Sequence, residues 1–179
     1  SIDIAPTLLD FFNIPKPEHM LGHSLTPVIF NDEKIHDYIL FGYFGKHVNI
    51  TDGRYVYMRS GRKAGDGTLF NYTLVPLHMF EPFSLEELRG AGREMGNRFD
   101  FTKGAPVMKI PASGETSPGN SCYEYEAHMK YGDLLFDLEN DPGQERPINN
   151  AAVKVRMEQA MRRLLKENEA PDELYDRIE

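Results

Sequence analysis

The spacing of apolar residues along this chain switches between a helical and a strand period, and the switches mark its elements. Residues 1–13, SIDIAPTLLDFFN, set Ile4, Leu8 and Phe11 or Phe12 about a helical turn apart, which predicts a short helix with an apolar stripe. Asp3 stands where an N-cap would, leaving Pro6 in the first turn, where a missing N–H costs little. The stripe calls for a partner surface. Residues 14–24 are a Pro- and Gly-punctuated loop, and SLTPVIF reads as a short helical turn. DYILFGYFG is a run of apolar and aromatic residues that predicts a buried strand.

KHVNI and RYVYM then flank Thr51-Asp52-Gly53, an Asp-Gly hairpin signal. A two-residue Asp52-Gly53 loop places Ile50 opposite Tyr55 and Val48 opposite Tyr57 on one side. His47, Asn49 and Thr51 share the other side with Arg54, Val56 and Met58. Residues 60–120 read as an irregular insertion, a flap or a partly disordered segment. Within it, TLFNYTLV is a possible strand, and Ser84 with Glu87 is a capping box for a short helix closed by Gly90. CYEYEAHMKY and DLLFDL return to strand character. A long helix follows, capped at Asn149 or Asn150, with Val153, Met157, Ala160, Met161 and Leu164 as its stripe. Pro171 stops it, and DELYDRIE forms a last short helix. The expected fold class is α+β: an antiparallel sheet with a C-terminal helix on one face.

Composition narrows the function classes. The 179 residues carry a net charge of -8 with scattered Lys and Arg, which argues against nucleic acid or an anionic membrane as partner. No apolar run reaches the roughly 20 residues of a membrane span. Cys122 is the single cysteine, which excludes an internal disulfide and fits a reducing, cytoplasmic compartment without establishing it. The chain opens on Ser1 straight into a helical pattern, which reads as a piece of a longer protein, so a leader would not be visible.

Candidate chemistry is sparse. Lys46, His47 and Asn49 follow Gly42 and Gly45, and Arg54, Arg59, Arg62 and Lys63 come soon after. This locally basic stretch is the candidate substrate-binding wall for an anionic ligand, against the commoner reading of a solvated sheet face. Phe41, Tyr43, Phe44, Tyr55, Tyr57, Phe70 and Tyr72 could stack on a sugar ring, but the favoured reading is sheet core. Asp137, Glu139, Asn140 and Asp141 resemble a calcium loop, yet Pro142 fills the position where an EF-hand needs Gly, so a plain turn is expected. His19, His23, His36, His78 and His128 show no H-x-H or H-x-x-x-H spacing, so a metal site built from them would need tertiary coincidence. No metal ligand is assigned. Asn71 in NYT fits a glycosylation sequon, which matters only in a eukaryotic secretory route.

Four segments, in order, resemble the C-terminal region of bacterial sulfatases of the alkaline phosphatase superfamily. SIDIAPTLLDFFNIP (1–15) resembles S-x-x-D-[LI]-x-P-T-[LI]-L-D, and GHSLTPVI (22–29) resembles G-x-S-L-x-P-[LI], with His23 where Arg is frequent. ITDGRYVYMRS resembles a T-D-G-x-Y-K-Y-I strand pair, with Val56 in place of the frequent Lys. DLLFDLENDPGQERPI (133–148) resembles L-[YF]-D-L-x-x-D-P-x-E-x-x-N. NYTL and FTKGAPVMKIPA are similar to segments of a bacterial subgroup.

The resemblance implies that residues 1–30 are the tail of a catalytic domain and 31–179 a C-terminal subdomain that lines the substrate cleft. It implies a parent sulfuric ester hydrolase with a formylglycine nucleophile and a divalent cation, usually calcium, both upstream. Cys122, in SCYEYE, does not match the C/S-x-[PA]-[SA]-R modification motif. The resemblance therefore assigns no catalytic residue here and implies a chain inert alone. Its partners would be its own N-terminal domain and a sulfated small molecule or glycan, and a bared helix stripe predicts self-association. A phosphonate or phosphodiester hydrolase of the same superfamily is the alternative, and a stand-alone binding module is a third reading.

Overall fold

The computed structural model describes residues 2–61, 69–78, 81–94, 99–112 and 130–179. Residues 1–39 and 40–179 form two compact units. The first holds helices α1 (Ile4–Phe11) and α2 (Thr26–Asn31), joined by the predicted loop. Asp3 occupies the N-cap position of α1, but its carboxylate makes no capping bond. The correction has a local cause. The Asp3 carbonyl accepts from the Thr7 amide at 3.1 Å, while its carboxylate turns to residues 23 and 36. The predicted stripe exists and faces solvent, with Ile4, Leu8, Phe11 and Phe12 all exposed.

The second unit is built on two sheets. Strands β1 (Ile39–Gly42), β2 (Val48–Thr51), β3 (Tyr55–Arg59) and β7 (Leu134–Asp137) form one, in the order β1-β2-β3-β7. β2, β3 and β7 run antiparallel, with Ile50 opposite Tyr57 and Tyr57 opposite Leu135. Strands β4 (Phe70–Thr73), β5 (Gly92–Glu94) and β6 (Val107–Pro111) form an antiparallel sheet in the order β4-β6-β5. Helix α3 (Leu85–Arg89) carries the predicted capping box complete: Ser84 Oγ accepts from the Glu87 amide, and the Glu87 carboxylate accepts from the Ser84 amide.

Helix α4 (Ala151–Glu167) is capped by Asn150, whose Oδ1 accepts from the Val153 amide at 3.2 Å. It lies against β2, and Met157, Ala160, Met161 and Leu165 are its buried face. Ile50 and Tyr57 face them from the sheet with 0% exposure. Fully burying such a side chain contributes roughly 1.5–3 kcal/mol before cavity terms. Helix α5 (Asp172–Ile178) follows Pro171.

Five further expectations need correction. The hairpin register is shifted by two, with Thr51 opposite Val56, and three residues, 52–54, separate the two strands rather than two. Asp52 is the cause: its Oδ1 accepts from the Arg54 and Tyr55 amides at 3.0 and 2.7 Å, which widens the turn. A shift of two keeps every side chain on its predicted face. Residues 60–120 are not simply irregular, since β4, α3, β5 and β6 lie there. The aromatic run at 37–45 is not a buried strand: β1 is an edge strand, and Phe41, Tyr43 and Phe44 are exposed. Of the seven aromatics read as core, only Tyr57 is fully buried. On α4 the buried position is Leu165, with Leu164 half-buried. Strand character predicted for 121–129, and Cys122 and His128 within it, lie outside the described residues. Among the described residues no helix is long and apolar enough to cross a membrane.

Candidate functional site

The turn between β1 and β2 positions the predicted basic wall. Its chain reverses because the Lys46 amide donates to the Tyr43 carbonyl at 3.0 Å and Gly45 takes φ 72°, a region glycine enters without strain. Lys46 then borders a cavity of about 300 Å³, whose walls include Tyr43, Phe70, Tyr72, Glu173 and Arg177. Burial lowers the Lys46 ammonium below its ordinary value, because a low-polarity wall disfavours the charged form. Arg177 is buried and donates to the Gly45 carbonyl at 2.6 Å, so the same turn is held from beneath. Glu173 is the counter-charge. Burial opposes its ionisation, but donation from Lys109 and the Tyr72 hydroxyl outweighs that and keeps it below its ordinary value. The cavity therefore combines aromatic walls with two cations and one anion.

His47 and Asn49 do not line this cavity. The His47 Nε2 faces the Gly132 carbonyl at 2.8 Å; a carbonyl only accepts, so this nitrogen carries the proton. Asn49 lies on β2 opposite Met58, and its Oδ1 is buried without a hydrogen-bond partner among the described residues. Of the nearby cations, Arg54 pairs with Asp137 at 3.1 Å and with Glu139 at 3.0 Å, and Arg59 pairs with Asp133 at 2.8 Å. Arg62 and Lys63 lie outside the described residues. The structure thus takes Lys46 to a cavity and gives the rest of the basic stretch local work. It brings in Tyr43, Phe70 and Tyr72, read from sequence as able to stack on a sugar ring but favoured as core, and adds Arg177, which sequence reasoning missed as a site residue; an Arg in DELYDRIE carries no signal of burial.

A second cluster lies in the first unit. Asp3, His23 and His36 bring one ligand atom each within 4.8 Å of one another. The Asp3 Oδ1 accepts from the His23 amide at 2.9 Å, and Oδ2 faces the His36 Nε2 at 3.1 Å. The two imidazoles meet edge to face, with centroids 5.2 Å apart. Burial opposes ionisation of Asp3, yet the His23 amide and the His36 ring together hold its carboxyl below the ordinary value. This is the tertiary coincidence that the histidine spacing could not reveal.

Two other carboxylates are structural. Asp133 accepts from the Tyr57 hydroxyl, Arg59, Lys154 and the Ser60 amide at 2.8–3.0 Å. Asp137 accepts from Arg54, the Glu139 amide and the Asn140 side chain, as a turn residue would.

No protein-family model and no curated protein matches this sequence. Solved structures do. A Bacteroides thetaiotaomicron sulfatase designated 4S-sulf, from work on the metabolism of multiple glycosaminoglycans, matches at TM-score 0.50 and 17% identity. The match covers 98% of this chain and 29% of that one. A second from the same organism, designated 6S-sulf, matches at TM-score 0.43 and 12% identity over 94% of this chain and 24% of its own, too loosely to carry weight. The likeness is one of fold: an α+β unit with antiparallel sheets and a C-terminal helix, spanning less than a third of the length of these bacterial sulfatases.

Proposed function

We propose that this chain is the C-terminal part of a sulfatase-type hydrolase of the alkaline phosphatase superfamily. It supports a preceding catalytic domain and contributes one wall of the substrate cleft. One observation carries the reading: nearly the whole chain superposes on under a third of a solved bacterial sulfatase. The order of the four sequence motifs points the same way.

The parent's nucleophile and cation are not built from the residues described. The carboxylates of Asp133 and Asp137 are filled by cationic and amide donors, and Asp3 stands with two imidazoles rather than the all-oxygen set that calcium prefers. These three carboxylates therefore do not fit a calcium site. What this chain offers is binding. Lys46 and Arg177 supply positive potential at an aromatic-walled cavity, which suits a sulfated ring. The exposed stripe of α1 is the surface the catalytic domain would cover, and left bare it would drive self-association.

The reading frame upstream of Ser1 is the direct test. We expect it to encode C/S-x-[PA]-[SA]-R ahead of the metal-binding carboxylates; a frame starting within a few codons of Ser1 would refute the proposal. A Thr nucleophile would move the parent to the phosphodiesterase relatives. The 179-residue chain alone should release no product from an aryl sulfate. In the full-length enzyme Lys46→Ala should raise KM about tenfold for an anionic sulfate ester and leave kcat nearly unchanged, as loss of uniform binding does.

A further inference from the structure

The first unit carries a feature that the sulfatase reading neither uses nor requires. Helix α1 delivers Asp3, the loop after it delivers His23, and the segment after α2 delivers His36, from positions 20 and 33 residues apart from Asp3. Two of these ligand atoms already stand at the spacing of a metal shell. Zinc bonds of about 2.0–2.1 Å to nitrogen and oxygen put neighbouring tetrahedral ligands about 3.3 Å apart. The Asp3 Oδ2 and His36 Nε2 are 3.1 Å apart. The third atom lies no farther than 4.8 Å, so at most about 1.5 Å must close, and His23 is the exposed, adjustable member.

The surroundings favour an ion over a bare hydrogen-bonded pair. Asp3 is buried, and its other oxygen is fixed by the His23 amide, so the carboxylate is oriented before any ion arrives. His23 also borders an open cavity of about 570 Å³ with Asp10 and Lys16 on its wall, which leaves room for a water ligand. Two imidazoles and one carboxylate select a zinc-class divalent ion over calcium or magnesium.

We propose that Asp3, His23 and His36 bind one zinc-class divalent cation, completed by water, and that the ion staples the 14–38 segment to the start of α1. Binding displaces the proton that lies between Asp3 and His36, and both imidazoles bind as neutral bases.

The test uses the 179-residue chain and metal salts alone. Co2+ should give the visible d–d bands of a tetrahedral nitrogen–oxygen site, bleached by one equivalent of Zn2+, with micromolar or tighter Zn2+ affinity by calorimetry. Histidine ring resonances of His23 and His36 should shift with Zn2+, and those of His19 should not. His23→Ala and His36→Ala should each weaken Zn2+ at least about 100-fold, while His19→Ala changes nothing. Should His36→Ala unfold the first unit, the ring resonances of the unaltered chain decide the matter. Millimolar affinity, unshifted His23 and His36 resonances, equal affinity for Ca2+, or unchanged binding in a chain carrying both His23→Ala and His36→Ala would each overturn the proposal.

Discussion

Replacing Asp133 by Asn removes one negative charge from the junction of β3, β7 and α4, and the structure says what that should cost. The Asp133 Oδ2 accepts from Arg59, Lys154 and the Tyr57 hydroxyl at 2.8, 2.9 and 3.0 Å, while Oδ1 accepts from the Ser60 amide at 3.0 Å. An Asn keeps one oxygen for the Ser60 amide and turns its NH2 toward three donors. A hydrogen bond to a charged group contributes about 1.5–3 kcal/mol. Lys154 is 41% exposed, so water screens its share to under about 1 kcal/mol. Arg59 is 22% exposed and retains Glu158 at 3.3 Å, which softens its loss. The net expectation is about 2–3 kcal/mol.

Urea unfolding reads this directly: with m near 2 kcal/mol/M, the midpoint should fall by about 1 M. The pH dependence is a second check. Burial raises the Asp133 carboxyl, but Lys154, the Ser60 amide and Arg59 outweigh it and hold it below its ordinary value. A depressed folded value means stability present above the unfolded value of about 4 and lost as pH falls through the folded one. The gap between the native and Asp133→Asn chains should therefore be full at pH 7 and shrink below about pH 4. A gap under about 0.5 kcal/mol at pH 7, or one unchanged at pH 3, refutes the argument.

Three further outcomes follow from other parts of the fold. Met157→Ala empties a site with 0% exposure and should cost about 2–5 kcal/mol, seen as a melting temperature lower by about 5–15 °C. Gly22→Ala would set a Cβ 2.1 Å from the Ile2 carbonyl oxygen, so backbone must move. Amide exchange at residues 22–25 should accelerate at least tenfold, with exchange in β2 and β3 unchanged. Ser84→Ala removes half of the capping box and should cost about 1 kcal/mol, read as faster exchange within α3 at unchanged midpoint for the β2–β3 core.

The parts of this fold that were legible in sequence are those whose signal is local. The α4 stripe, the Asn150 cap and the Ser84–Glu87 box each rest on residues within a few positions of one another. The hairpin was legible in its faces and not in its register, because Asp52 spends its carboxylate on two amides and widens the loop. Edge and centre cannot be told apart from hydrophobicity, so the run ending in Phe41, Tyr43 and Phe44 reads as buried and lies at a sheet margin. The site residues were the least legible. Asp3, His23 and His36, or Lys46, Phe70 and Arg177, become neighbours only through tertiary folding, and nothing in their immediate sequence announces it.

Helix α5 has a consequence for how the chain is made. The Arg177 guanidinium holds the carbonyl of Gly45, the Arg59 guanidinium holds that of Ile178, and Glu173 receives Lys109 and Tyr72. Each contact joins residues 64 to 132 positions apart. At translation speeds of about 5–20 residues per second, Arg59 waits roughly 6–24 s for its partner 119 residues later. Through that interval β1, with its exposed aromatics, is a nascent edge whose following turn still lacks the Arg177 donor. Chaperone dependence should therefore rise when codons between 60 and 171 are slowed, and fall when they are quickened.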